Sequence, residues 1–144
     1  MNDRVYIDTS ALAKWYLAEK NSDKFVQFLE AVPVAAISQL TITEMRSLLA
    51  RRRRMQEINA PLEVEIFSSL QIDIDQGHLV VLPFNSNHFE AATHLISSLH
   101  DIPLRTLDAL HLALIKHHHI QTLATADQTM ATAAQRLELQ VELF

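Results

Sequence analysis

Arg4-Val5-Tyr6-Ile7-Asp8-Thr9-Ser10-Ala11-Leu12 is a short apolar run that stops at an acid where a helix begins. Val5-Tyr6-Ile7 is β-branched and aromatic, as a buried strand prefers. Asp8-Thr9-Ser10 then offers capping side chains to a helix running through Ala11-Leu12-Ala13-Lys14-Trp15-Tyr16-Leu17. A carboxylate thus ends the first strand, and in an open α/β sheet ligands collect outside the carboxyl ends of the strands. Taken alone, Asp8 is more simply a helix cap.

Working outward, strands and helices alternate. Ser22 to Val32 carries Phe25, Phe28 and Leu29 at helical spacing and is closed by Pro33, before a short buried strand at Val34-Ala35-Ala36-Ile37. A helix follows from Thr41 to about Met55, with Met45, Leu48 and Leu49 on one face. Pro61 suits the first turn of the next helix, whose inward residues read as Leu62, Ile66, Leu70 and Ile74. Gly77 ends it as a left-handed cap, and His78-Leu79-Val80-Val81-Leu82 is a third strand. Asn85 or Ser86 opens a helix through Phe89, Ala92, Leu95, Ile96 and Leu99, and Thr106 caps an apolar helix from Leu107 to His117. Thr122-Leu123-Ala124 is a fourth strand, Asp127 begins a helix to Leu137, and Gln140-Val141-Glu142-Leu143 adds an edge strand. This order predicts an α/β fold of one domain over residues 1–144, with a central parallel sheet of four to five short strands and helices on both faces.

The composition narrows the functions open to such a chain. Its 144 residues suit one core, and the absence of Cys excludes a disulfide framework and any Cys-ligated zinc site. No signal-like segment precedes Asp8 and no apolar stretch is long enough to span a bilayer, so a cytoplasmic protein without membrane association is expected. The net charge of −5 argues against coating nucleic acid through overall charge. Arg46 and Arg51, Arg52, Arg53 and Arg54 nevertheless put five of the twelve basic residues into nine positions. They read equally as a solvated helix end favourable to the dipole or as a local phosphate-binding patch, to which Arg105 is a further candidate.

Four acids begin or lie near the start of helices: Asp8, Glu44, Asp108 and Asp127. Thr41 and Glu44 stand at capping-box spacing, Asp108 suits a positive helix end, and Asp8 and Asp127 suit plain N-caps. Asp8 and Asp127 also both follow strands at their carboxyl ends, which share one edge of a parallel sheet. Carboxylates converging there repel by roughly 4 kcal/mol per pair at about 4 Å in an effective dielectric near 20. A hard divalent cation removes that conflict, and oxygen ligands without Cys suit Mg²⁺ or Mn²⁺ better than zinc.

Four segments in order then resemble the PIN-domain ribonucleases, and most closely the VapC toxins of bacterial toxin–antitoxin pairs. They are Tyr6-Ile7-Asp8-Thr9-Ser10-Ala11-Leu12, Thr43-Glu44, Leu107-Asp108-Ala109-Leu110-His111-Leu112-Ala113 and Leu123-Ala124-Thr125-Ala126-Asp127. The resemblance implies that Asp8, Glu44, Asp108 and Asp127 form an acidic metal site, supported by Thr125, Thr9 and Ser10. It also implies Mg²⁺-dependent endonucleolytic cleavage of RNA with Mn²⁺ as a substitute, products with a 5′-phosphate and a 3′-hydroxyl, a cognate antitoxin that blocks the cleft, and a homodimer. Two features depart from the family pattern. Glu138 stands where relatives commonly carry Gly before the final strand, and the tetra-Arg run is outside the signature.

Other readings compete. A non-catalytic RNA-binding or interaction module would gain from losing negative charge near phosphates, so four retained acids speak against it. A receiver-like phosphoacceptor domain wants an acidic pair after the first strand and an Asp ending a central one, yet Val80-Val81-Leu82-Pro83 carries none. His111, three residues after Asp108, reads as a packed, hydrogen-bonded histidine rather than a ligand of hard Mg²⁺. His117-His118-His119 reads as a helix-end cluster outside the active site. Trp15 and Tyr16 read as core or interface aromatics.

Overall fold

The computed structural model describes residues 3–144. Five strands, β1 (Arg4–Ile7), β2 (Val34–Ser38), β3 (Val80–Leu82), β4 (Thr122–Thr125) and β5 (Gln140–Leu143), form one all-parallel sheet in the order β3-β2-β1-β4-β5. Seven helices accompany them among the described residues: α1 (Thr9–Tyr16), α2 (Ser22–Ala31), α3 (Gln39–Arg54), α4 (Ala60–Asp75), α5 (Asn87–Ser98), α6 (Thr106–His117) and α7 (Gln128–Arg136).

Alternation along the strands divides the helices between the two faces. Val5, Ile7, Ala35, Ile37 and Ala124 enter one core with Leu12, Phe25, Met45 and Leu70, drawn from α1 to α4. Tyr6, Ala36 and Leu123 enter the other with Ala92, Leu95, Leu112, Ile115 and Met130, drawn from α5 to α7. Both faces are therefore covered, which is why the strands are apolar almost without interruption.

The chain steps outward from β1 to β2 and β3, then returns to β4 on the other side of β1. Strand order reverses there, and the carboxyl ends of β1 and β4 flank the crevice that an open α/β sheet offers to ligands. Ile7 pairs with Ala124, and the Asp8 amide continues the ladder to the Ala124 carbonyl at 3.1 Å. Asp8 is thus fixed at the strand end by main chain as well as by its side chain.

Several local expectations shift, each for a visible reason. α3 begins at Gln39 rather than Thr41, because Ser38 is the N-cap and its amide donates to Thr41 Oγ1 at 3.2 Å. Thr41 therefore fills the third helical position of that cap, and Glu44 is released from any capping box. Arg105, not Thr106, is the N-cap residue of α6, and β3 is confined to Val80–Leu82. Leu62, which the pattern turns inward, is 38% exposed, and on α5 Phe89 and Ile96 face outward. Polar residues take the neighbouring inward places: Glu63 beside Leu62, and His88 in the α5 stripe with Ala92, Leu95 and Leu99. Gly77 takes the left-handed conformation at φ 80°, and Glu138 takes it at φ 63°. The turn before β5 thus keeps a geometry suited to glycine while carrying a side chain that glycine would lack.

Candidate active site

The Asp8 carboxylate is buried at the end of β1 and caps α1, with Oδ1 accepting from the Ala11 amide at 3.0 Å and from Ser10 Oγ at 2.7 Å. Thr125, the last residue of β4, donates its hydroxyl to Oδ2. Capping and strand-end placement are therefore one arrangement rather than alternatives. Burial pushes the Asp8 carboxyl above its usual range, although the Thr125, Ser10 and Ala11 hydrogen bonds pull the other way.

Glu44 reaches the same edge from α3. Thr9 Oγ1 donates to its Oε1 at 2.9 Å, and His111 Nε2 donates to the same oxygen. His111 is itself buried and its Nδ1 meets the Tyr6 hydroxyl, which lies 2.9 Å from Ser38 Oγ. A line of polar contacts thus runs from the core beneath β1 to a carboxylate on the edge. The expectation of a packed, hydrogen-bonded histidine holds, and its partner is a candidate site acid.

Asp108 lies in the first turn of α6 and Asp127 is the N-cap of α7, where its Oδ1 accepts from the amides of Thr129 at 2.8 Å and Met130 at 3.1 Å. Ser10 and Thr125 bind the loop between them and Asp8. Ser10 Oγ accepts from the Ala126 amide at 2.9 Å, and Thr125 Oγ1 accepts from the Asp127 amide at 3.0 Å. The Asp108 carboxyl is pushed up to about 6, first by burial and next by the charge of Asp127, with smaller contributions from Asp8 and Glu44. The charges of the other three acids therefore all bear on Asp108. Among the described residues, no Lys or Arg is ion-paired with any of the four. The acids do not close into a tight trio, and the three groups whose ligand atoms all lie within 4.8 Å are histidines elsewhere.

The PIN domain family model matches residues 5–135, a span that holds all four acids. The chain belongs to the PIN-domain family. Solved structures place the same fold in organisms far apart. VapC20 of Mycobacterium tuberculosis, described as a sarcin-ricin loop cleaving toxin, superposes at a TM-score of 0.73 with 18% identity, over 90% of this chain and 94% of that one. VapBC2 of Rickettsia felis, bound to a DNA fragment from their promoter, gives 0.72 with 16% identity over 97% and 98%. FitAcB of Neisseria gonorrhoeae gives 0.69 with 20% identity over 95% of each chain. No curated protein matches the chain in sequence.

Within this PIN domain the arginines divide into two groups. Arg46 and Arg53 both hold Glu63, at 3.2 and 3.0 Å, and Arg52 spans Glu19 at 2.8 Å and Glu57 at 3.1 Å. Three members of the basic run therefore tie α3 to its own surroundings, whereas no ion pair involves Arg51, Arg54 or Arg105 among the described residues. Sequence reading missed the role of Ser38 under Tyr6 and the inward histidine of α5. Neither leaves a local signal, because each is defined by partners on distant elements.

Proposed function

We propose that this PIN domain is a Mg²⁺-dependent endoribonuclease, with Mn²⁺ as a substitute, acting in the cytoplasm as the toxin of a VapC-type pair. It works as a homodimer restrained by a cognate antitoxin. What supports this reading is the charge on the edge: Asp127, Asp8 and Glu44 all push the Asp108 carboxyl up, burial pushes Asp8 up at the switch point of a parallel sheet, and no Lys or Arg among the described residues is paired to any of the four. A hard cation relieves such a conflict, and an all-oxygen donor set fits Mg²⁺ or Mn²⁺. Family membership supports the nuclease class, and the toxins that share the fold support the biological role.

Asp8, Glu44, Asp108 and Asp127 are the residues that would hold the ion. When bound, Mg²⁺ polarises the scissile phosphate and acidifies a water molecule for in-line attack. The chain's own contribution is to fix the oxygens. Thr125 and Ser10 orient Asp8, and Thr9 and His111 orient Glu44. Asp108 exchanges a proton near pH 6, so loading of the edge competes with that proton in mild acid. Arg51, Arg54 and Arg105, which no ion pair engages among the described residues, supply phosphate contacts on an otherwise negatively charged protein. Departure of the 3′ oxygen leaves a 5′-phosphate and a 3′-hydroxyl.

The test is cleavage of total cellular RNA by purified protein with Mg²⁺, with excess chelator, and with Asp8→Asn. Asn still caps a helix, so this variant removes the charge and keeps the cap. Discrete fragments should require both the metal and Asp8, with a loss exceeding the roughly 10–100-fold typical of removing a residue that only supports a ligand. Cleavage at the wild-type rate by a folded Asp8→Asn variant would reduce Asp8 to a cap. A folded wild-type protein that binds RNA without cutting it would instead fit a binding module.

A further inference from the structure

At the opposite end of α6 from the acids, three histidines meet. His88 is on the first turn of α5, His117 is the last residue of α6 and His118 is its C-cap. One nitrogen from each lies within 4.8 Å of the others. The rings of His88 and His117 are 4.9 Å apart between centroids, and those of His117 and His118 are 5.1 Å apart. His119, the third member of the run in the sequence, is not part of the group; a residue 29 positions upstream of His117 replaces it.

A second observation points to a ligand. His88 is 1% exposed, and its Nε2 is the one buried side-chain nitrogen or oxygen among the described residues that has no hydrogen-bond partner. Buried polar atoms are nearly always partnered, so an orphan on a ring packed against two other imidazoles requires a reason. We propose that His88, His117 and His118 form a second metal site, selective for a transition cation such as Zn²⁺ over Mg²⁺, which clamps the start of α5 to the end of α6.

The chemistry of the donors supports this. Neutral imidazole suits Zn²⁺, Co²⁺, Ni²⁺ and Cu²⁺, and it has little use for the hard cations of the acid edge. Burial and the two neighbouring histidines hold the His88 imidazole below its usual value, which favours the neutral, binding form. His118 Nε2 lies 3.4 Å from the Pro83 carbonyl, and a proton donated there leaves the Nδ1 lone pair for a cation. The site also stands at the negative end of the α6 dipole, where positive charge is favoured. In the cluster without a cation, the Asn85 amide donates to His88 Nδ1 at 2.9 Å. Coordination through Nε2 moves the ring proton to Nδ1 and gives up that bond, whose amide belongs to an exposed turn that water can satisfy. His117 is exposed and His118 half-exposed, so both rings can turn inward and leave a further position open to water.

The experiment uses untagged, chelator-stripped protein titrated with Co²⁺ in the presence of millimolar Mg²⁺ and read by visible absorption, followed by displacement with Zn²⁺. One equivalent should bind at about 1 μM or tighter. Binding should weaken at least tenfold in His117→Ala/His118→Ala and stay unchanged in Asp8→Asn. At a hundredfold excess over its Kd, Zn²⁺ should raise the Tm of the wild type by roughly 9 °C, and should leave that of the double variant unchanged. RNA cleavage by the double variant should equal that of the wild type in Mg²⁺. Absent binding, binding untouched by the double substitution, or binding lost in Asp8→Asn would each overturn the proposal.

Discussion

Asp108 and Glu63 are both carboxylates on helices, and their surroundings move them in opposite directions. Asp108 is pushed up to about 6 by burial and by Asp127. Glu63 is held below its usual range by the guanidiniums of Arg53 and Arg46, which cover it on the α3–α4 hairpin. On the hairpin the anion is more than matched, with two cations on one carboxylate. At the edge of the sheet the anions are not. A fold that gathers like charges with no Lys or Arg paired to them has left the balancing charge to something that binds, whereas the Glu63 carboxylate has its countercharge already in place. The difference teaches where to look for function in this chain.

The sharpest way to break the comparison is Asp108→Asn. Cleavage should fall by more than the 10–100-fold expected of a supporting residue. Stability should move the other way. The folded pKa near 6 lies above the unfolded value of 3.8, so the carboxyl destabilises the metal-free fold fully above pH 6, and this cost fades as pH falls from 6 to about 4 and is gone below that. At pH 7.5 in chelator the variant should therefore be more stable than the wild type, on the order of 1–3 kcal/mol after allowing for partial exposure. Chemical denaturation at pH 7.5 and pH 4 checks both parts, and a variant less stable than the wild type at pH 7.5 would show that the edge is not under charge strain. Adding Mg²⁺ should narrow the gap.

Thr125→Val comes next. It removes the hydroxyl that donates to Asp8 and accepts from the Asp127 amide, at constant shape. Activity should drop about 10–100-fold with the Mg²⁺ requirement shifted upward, as for a group that holds a ligand in place. Metal titrations of the cleavage rate would show it.

Glu63→Gln probes the balanced region and should leave cleavage per bound RNA unchanged. Its folded pKa is depressed, so the stability it contributes is present above pH 4.5 and is lost as pH falls through the lower folded value. Thermal melts of the variant should therefore depend less steeply on pH below 5 than those of the wild type. Smallest of all, Glu138→Gly should stabilise the turn before β5 by about 0.5–1 kcal/mol, since glycine takes a positive φ without strain and gives back part of the gain in unfolded-chain entropy.

Much of this was legible in the sequence because it is local. Val5-Tyr6-Ile7 followed by Asp8 states a strand, its end and a cap within a few residues, and Asp8 and Asp127 could be placed by the strand ends beside them. Gly77 and the last edge strand were equally plain. Phase within α4 and α5 was not. A helical period places an apolar stripe, but Glu63 and His88 occupy inward positions because of Arg46 and Arg53 on α3 and because of His117 and His118 at the end of α6. The pattern of alternation also predicts a parallel sheet without saying that β1 lies at its centre. That follows from packing two cores against one strand.

Time enters through that central strand. Asp8 is made before the other residues of the edge, and the Thr125 hydroxyl that fixes it stands 117 residues further along the chain, with Asp127 later still. Contacts of such long sequence separation form late, after the chain between them has closed. A growing chain has to carry Asp8, Glu44 and even Asp108 past the ribosome with no β4 to complete the edge. On the proposed function, a molecule that cuts RNA is harmless to the machine making it until β4 and Asp127 have emerged and joined β1.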